Sequence, residues 1–136
     1  MQEYDKLITL KPVKLTATQD KAKAAFNEGK VQFRKGNYPE AELLFGQAAY
    51  YDRTISEYHY YYALTLAKAG RFKEAEKALE RALRLEPANA DYLAELGFMY
   101  LELSFPLRAK GIFDKVLKIS PDNARASEGM AKIKED

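Results

Sequence analysis

The chain contains no cysteine and a single histidine, and these two shortages remove most familiar catalytic chemistry. Without thiols there is no disulfide framework, no thiolate nucleophile and no cysteine-ligated zinc, a composition that suits a reducing compartment. No serine sits in a glycine-flanked elbow, so nucleophilic and metal-hydrolase constellations lack parts, and no enzyme and no cofactor are expected. The seven glycines build no phosphate loop. A dominant charge is missing too: 22 lysines and arginines stand against 20 acids, a formal net charge of +2. That balance gives no field for nucleic acid or an anionic membrane. Lys35, Arg71, Lys73, Lys77, Arg81 and Arg84 are interleaved with acids rather than set in a stripe. Nowhere do about 18 apolar residues run together, and Met1 to Leu10 carry acids without an apolar stretch of signal-peptide length. The expectation is a cytoplasmic chain that does not insert into membranes.

What is present is periodicity. With 136 residues, 47% of them hydrophobic, the chain can bury one sizeable core. Aligned against itself, it brings Ala41, Ala75 and Ala109 into register at intervals of 34 residues, and the same shift pairs Gly36 with Gly70. Phe45, Leu79 and Phe113 follow, then Ala48, Ala82 and Val116, then Gly29, Ala63 and Gly97, and finally Pro87 and Pro121. The pattern is one of close packing: a small residue lets one backbone approach its neighbour while a large one fills the gap beside it. Leu93, Leu96, Gly97 and Tyr100 fall at helical spacing, and after a break so do Ala109, Phe113 and Val116, so each unit is two helices. Gly36 and Gly70 end first helices, Pro39 and Pro106 open second helices, and Pro87 and Pro121 close units. Thr54 and Glu57 read as a capping box for the second unit.

This spacing resembles the tetratricopeptide repeat, a helix-turn-helix unit of the same length. In the third copy Leu93, Leu96, Gly97, Tyr100, Ala109, Phe113 and Pro121 match the family pattern, with leucine for the usual first tryptophan. The second has His59, Tyr62, Ala63 and Leu66, then Ala75, Leu79 and Pro87. The first departs most, at Ala25, Glu28, Gln32 and Arg53. The resemblance implies an all-α, right-handed superhelical stack with repeats at 22–55, 56–89 and 90–123. Residues 124–136 are expected to form a capping helix, with a cap near Asp122 and a stripe of Ala126, Met130 and Ile133. Residues 1–21, with Pro12, Thr16 and Thr18, read as an extended lead-in, Thr16 and Gln19 capping the first helix.

In such a stack the first helices line the inner face. Their non-core positions give three rows. Lys23, Phe26, Asn27, Lys30, Phe33 and Arg34 form the first; Glu57, Tyr60, Tyr61, Leu64 and Lys68 the second; Asp91, Ala94, Glu95, Phe98, Leu101 and Glu102 the third. The aromatics look surplus to the stack, which predicts an apolar groove with charged ends for a partner's peptide or helix. The alternative reading is that the groove seats a second copy of the chain as a homodimer. Tyr51 and Tyr62 are expected to pack, and His59 stands at a core-facing position. Paired carboxylates such as Glu40 and Glu42 read as a solvated face.

One subclass of the family grips the terminal carboxylate of heat-shock chaperones with lysines and asparagines at fixed first-helix positions. Phe26, Lys30, Tyr61, Asp91 and Glu95 stand there instead, so the resemblance implies a different ligand. That ligand is expected to be acidic near Lys23, Lys30 and Arg34 and basic toward Asp91, Glu95 and Glu102. Glu3, Tyr4, Asp5, Lys6 and Leu7 resemble the closing residues of a J-domain. This implies a fragment of a larger co-chaperone, without the motif by which a J-domain acts.

Overall fold

The computed structural model describes residues 2–135, with side chains over 17–133. Among the described residues there are seven helices and no strand: α1 (Gln2–Arg34), α2 (Tyr38–Tyr51), α3 (Ser56–Lys68), α4 (Phe72–Leu85), α5 (Ala90–Glu102), α6 (Pro106–Ile119) and α7 (Ala124–Glu135). Helices adjacent in sequence pack on one another, most extensively within the pairs α1–α2, α3–α4 and α5–α6, and α7 covers the exposed side of α5 and α6. Short connections force antiparallel neighbours, so the chain advances as a stack of hairpins.

The turns inside these hairpins repeat their backbone as well as their length. Gly36 and Gly70 adopt φ of 82° and 75°, and Ser104, 34 residues further on, adopts 64°. A left-handed residue closes each first helix by letting the following amides reach back to orphan carbonyls. Asn37 N donates to Gln32 O, Arg71 N to Leu66 O and Phe105 N to Tyr100 O, at 2.9, 3.0 and 2.8 Å. In the third turn the conformation is held by a serine, which carries a Cβ penalty that glycine does not. Pro106 is the first residue of α6 and Pro39 the second of α2, within the first turn, where no helical amide bond is lost.

Three clusters make a continuous core. Ala22, Phe26, Phe45 and Tyr58 fill the first, Leu66, Leu79, Tyr92 and Met99 the second, and Leu93, Phe113, Val116 and Ala126 the third. Each hairpin is locked by a small residue of its first helix against a large one of its second. A Cβ built on Gly29 would lie 2.7 Å from Phe45, and one built on Gly97 would lie 2.5 Å from Phe113. In the middle hairpin the same two positions hold Ala63 and Leu79, both wholly buried. The larger small residue is thus met by the smaller large one.

Several local expectations are corrected. Residues 2–21 are not an extended lead-in, since α1 runs unbroken from Gln2 through Thr16 and Gln19, and no helix begins at those positions. The packed turns from Ala22 onward supply a nucleus, and extending an existing helix adds one bond for each residue fixed. The residues Glu3 to Leu7, on which the J-domain resemblance rests, lie outside the described side chains. Thr54 is no cap for α3; its hydroxyl and amide both bind the Asp52 carboxylate, at 2.6 and 3.0 Å, and Ile55 precedes the helix. A nearer carboxylate outcompetes the helical amides for a short side chain. The cap of α7, expected near Asp122, is Asn123, which accepts from Ala126 N at 2.9 Å. Asn89 does the same for α5. Tyr51, expected to pack, is 40% exposed beside Tyr50, because α2 ends there and turns its last side chains outward.

Candidate functional site

The first-helix rows lie on α1, α3 and α5, but their residues do not share one degree of exposure. Lys23, Asn27, Arg34, Glu57, Lys68, Asp91 and Glu102 are exposed. Lys30, Phe33, Tyr60, Tyr61 and Leu64 are half-buried, as are Glu95, Phe98 and Leu101. Phe26 and Ala94 are core residues, 4% and 1% exposed.

Phe26 therefore overturns the idea that its ring is surplus to the stack. Ala25 stands one residue before it, where the later repeats hold His59 and Leu93, and the ring fills the volume that alanine leaves. It lies 4.7 Å from Tyr58, 5.4 Å from Tyr61 and 5.7 Å from Phe45, centroid to centroid. Its outer edge is closed by Lys30, whose ammonium sits 4.7 Å from the ring centre. Tyr61 and Phe33 extend the same aromatic patch, with 6.2 Å between them. Lys68 turns toward the ring of Tyr38 at the α1–α2 turn.

The second and third rows meet at Tyr60, which stacks on Tyr92 with centroids 4.6 Å apart and rings 28° from parallel. Burial, followed by the Glu95 carboxylate, pushes the Tyr60 hydroxyl up to about 12. A neutral hydroxyl is thus fixed in the middle of the row, able to donate to a partner's carbonyl or carboxylate. Behind it Ser56 Oγ bridges the Glu86 carboxylate and the Tyr92 hydroxyl, tying α3 to the end of α4 and to α5. The hydrogen bond from Ser56 holds Glu86 below its usual carboxylate range.

Periodicity had also marked two residues that a reading of α7 as a plain cap passes over. Arg125 and Lys132 stand 34 residues after Asp91 and Phe98, so α7 presents the start of a fourth row. Arg125 pairs with Glu95, and Phe98 lies under both cations, 4.7 Å from the Arg125 guanidinium and 5.4 Å from Lys132. The acidic third row is therefore partly neutralised from the side, and Phe98 is shared with Phe113 of the core at 5.1 Å. The apolar strip left open consists of Tyr60, Tyr61 and Leu64, between the basic row of α1 and the acids Asp91 and Glu102.

His59 lies on the opposite face of α3, 6% exposed, with Nε2 3.0 Å from the carbonyl oxygen of Arg53. Gly46, Tyr62 and Arg81 are its neighbours around an open cleft.

Residues 56–89 match the family model of the tetratricopeptide repeat. Superkiller complex protein 3 of Mus musculus is 31% identical over 118 residues, which is 82% of this chain and 8% of that protein, so the chain spans a small part of that relative's length. The fold is similar to the first tetratricopeptide-repeat domain of Spaghetti (RPAP3) bound to the HSP90 peptide SRMEEVD, with a TM-score of 0.82, 22% identity, and coverage of 86% of this chain and 93% of that one. It is also similar to the second such domain of human RPAP3 in complex with the HSP70 peptide SGPTIEEVD, with a TM-score of 0.80, 24% identity, and coverage of 90% and 99%. The chain thus carries a tetratricopeptide repeat at residues 56–89, and the helices on either side stack with it in the fold of solved tetratricopeptide-repeat domains.

Proposed function

We propose that this chain is a non-catalytic interaction domain that holds a segment of a partner protein along the first-helix row, seated on Tyr60, Tyr61 and Leu64. The observation that carries this reading is the half-buried apolar strip of α3, set between Lys23, Lys30 and Arg34 on one side and Asp91 and Glu102 on the other. Half-buried tyrosines offer large contact area at low entropic cost, with hydroxyls left to hydrogen bond. Two solved neighbours of the fold hold peptides of HSP90 and HSP70, which supports a peptide as the kind of ligand. Among the described residues no helix is long and apolar enough to cross a membrane, and the helical stack offers open rows rather than an enclosed reaction chamber.

The ligand differs from those of the two neighbours. Phe26 is packed away, Asp91 is an exposed acid, and Glu95 is engaged by Arg125, so the positions expected to grip a terminal carboxylate hold no set of convergent cations. A segment acidic toward α1 and basic toward Asp91 and Glu102 complements the row. The test is fluorescence anisotropy with two labelled amphipathic peptides of opposite charge polarity, and with SRMEEVD as a third probe. The complementary peptide is expected to bind at least tenfold tighter than its reverse, and Tyr60→Ala or Lys30→Ala is expected to weaken it. Equal affinity for both polarities, or tighter binding of SRMEEVD, would refute the proposed ligand. A mass by light scattering that doubles with concentration and returns to monomer in Tyr60→Ala would replace it with self-assembly.

A further inference from the structure

Two adjoining clefts open on the side of α3 away from the first-helix row. At about 100° per residue, Glu57, Tyr60, Tyr61 and Leu64 share one face of α3, and His59 and Tyr62 lie on the other. The larger cleft, about 330 Å³, is walled by Ala49 and Tyr50 of α2, Arg53 of the following turn, His59 and Tyr62 of α3, and Arg81 of α4. The second, about 280 Å³, shares Arg53, His59 and Arg81 with the first and adds Arg84 and Leu85. The shared residues make one continuous trough.

Its charge is one-sided. No carboxylate lines either cleft, in a chain with 20 acids. Arg71 nearby is engaged by Glu42 and Glu74, whereas the side chains of Arg53, Arg81 and Arg84 make no ion pair or hydrogen bond among the described residues. Three guanidiniums without an ion pair around one depression repel one another. A carbonyl oxygen only accepts, so His59 Nε2 carries the proton given to Arg53 O. The same bond fixes the backbone of Arg53 against the cleft. Tyr50, 71% exposed, and Tyr62 supply aromatic surface beside the cations, and Gly46 leaves the Tyr62 ring uncovered.

We propose that this trough is a second binding site, for a phosphate monoester carried on a side chain of a partner protein. A phosphate ester brings a charge of about −1.5 to −2 and three acceptor oxygens at neutral pH. Guanidinium forks bind such oxygens in bidentate fashion. A lone carboxylate has too little charge to neutralise three arginines. The rings of Tyr50 and Tyr62 take the group that bears the phosphate. None of the first-helix row residues lines the trough, so this site stands or falls separately from the peptide row.

The test is a titration of the labelled full chain with phenyl phosphate, followed by ¹⁵N–¹H correlation spectra at fixed ionic strength. Separate arms use inorganic phosphate and benzoate. Saturable shifts are expected at Gly46, Tyr50, Arg53, His59, Tyr62 and Arg81, with phenyl phosphate binding several-fold tighter than either comparison anion. Arg53→Gln and Arg81→Gln are each expected to weaken it about tenfold, the loss of one charge-assisted hydrogen bond. Arg108→Gln, on α6, is expected to leave it unchanged. All three arginines are exposed, and circular dichroism checks that the helices remain. Absence of saturable shifts, or equal weakening by Arg108→Gln, would overturn the site. Inorganic phosphate binding as tightly as phenyl phosphate would reduce it to a free-anion site and overturn the side-chain source.

Discussion

Gly97 and Gly111 lie at the middle of neighbouring helices, and replacing each by alanine is expected to move stability in opposite directions. At Gly111 a new Cβ meets nothing within 4 Å, so only the backbone effect operates. Alanine in place of glycine in a helix interior stabilises by roughly 0.8–1.0 kcal/mol. At Gly97 the same gain is opposed by overlap, because the new Cβ would lie 2.5 Å from Phe113 Cε1 and 2.7 Å from Cζ. Ordinary contact begins near 3.4 Å, so the ring must retreat by about an ångström. Phe113 is fully buried, and its far side meets Gly129 of α7, where another Cβ would also overlap it. With no room to retreat, the cost belongs at the upper end of the usual 1–3 kcal/mol for overpacking. The net for Gly97→Ala is a loss of about 1–2 kcal/mol, and the two alanine variants should differ by about 2–3 kcal/mol, or roughly 10 °C in melting temperature. Thermal and urea unfolding measure both. A double substitution sharpens the test, since Gly97→Ala with Phe113→Leu rebuilds the Ala63–Leu79 pair of the middle hairpin. The two changes together should cost less than their sum, with a coupling of about 1–2 kcal/mol. If Gly97→Ala raises the melting temperature as Gly111→Ala does, the ring is not clamped and the packing rule drawn from the repeat is wrong.

Ser104→Gly should stabilise by about 0.5–1 kcal/mol in urea unfolding, because its φ of 64° carries a Cβ penalty that glycine removes, less the added freedom of the unfolded chain; an unchanged midpoint would refute strain at this turn. Asn89→Ala should cost about 1 kcal/mol through loss of the cap on Tyr92 N, and Asn89→Asp should retain most of it. Alkali should destabilise the fold from about pH 10 upward. Tyr60 is pushed up to about 12, chiefly by burial, and burial raises Tyr58, Tyr92 and Tyr100 as well. A raised folded-state value means the protonated hydroxyls favour the native chain, with that contribution fully present below the ordinary tyrosine value and lost as the pH climbs through the folded one. Tyrosinate absorbance read beside circular dichroism should show late ionisation joined to unfolding, and Tyr60→Phe should reduce the linkage. Full ionisation near pH 10 without loss of helix would contradict it.

The 34-residue period of small and large residues was enough to specify helix pairs and their order, because close approach of two helices demands small residues beside large ones wherever it occurs; which small residue meets which large one came from the stacked helices. The left-handed positions at Gly36 and Gly70 were legible for the same local reason. What sequence could not assign was which side chains outside the repeat pattern remain available once the helices are stacked. Phe26 occupies a row position, yet the small Ala25 leaves a void that its ring fills; Glu95 is an acid, yet Arg125 arrives from α7 to engage it. The lead-in of α1 also read as extended, since threonine and proline disfavour helix locally while propagation from a packed helix depends on a neighbour. The unpaired arginines at 53, 81 and 84 come from two elements and look ordinary one at a time. Burial and charge pairing are properties of what surrounds a side chain, and for these residues the surroundings are set by contacts that only the assembled stack brings together.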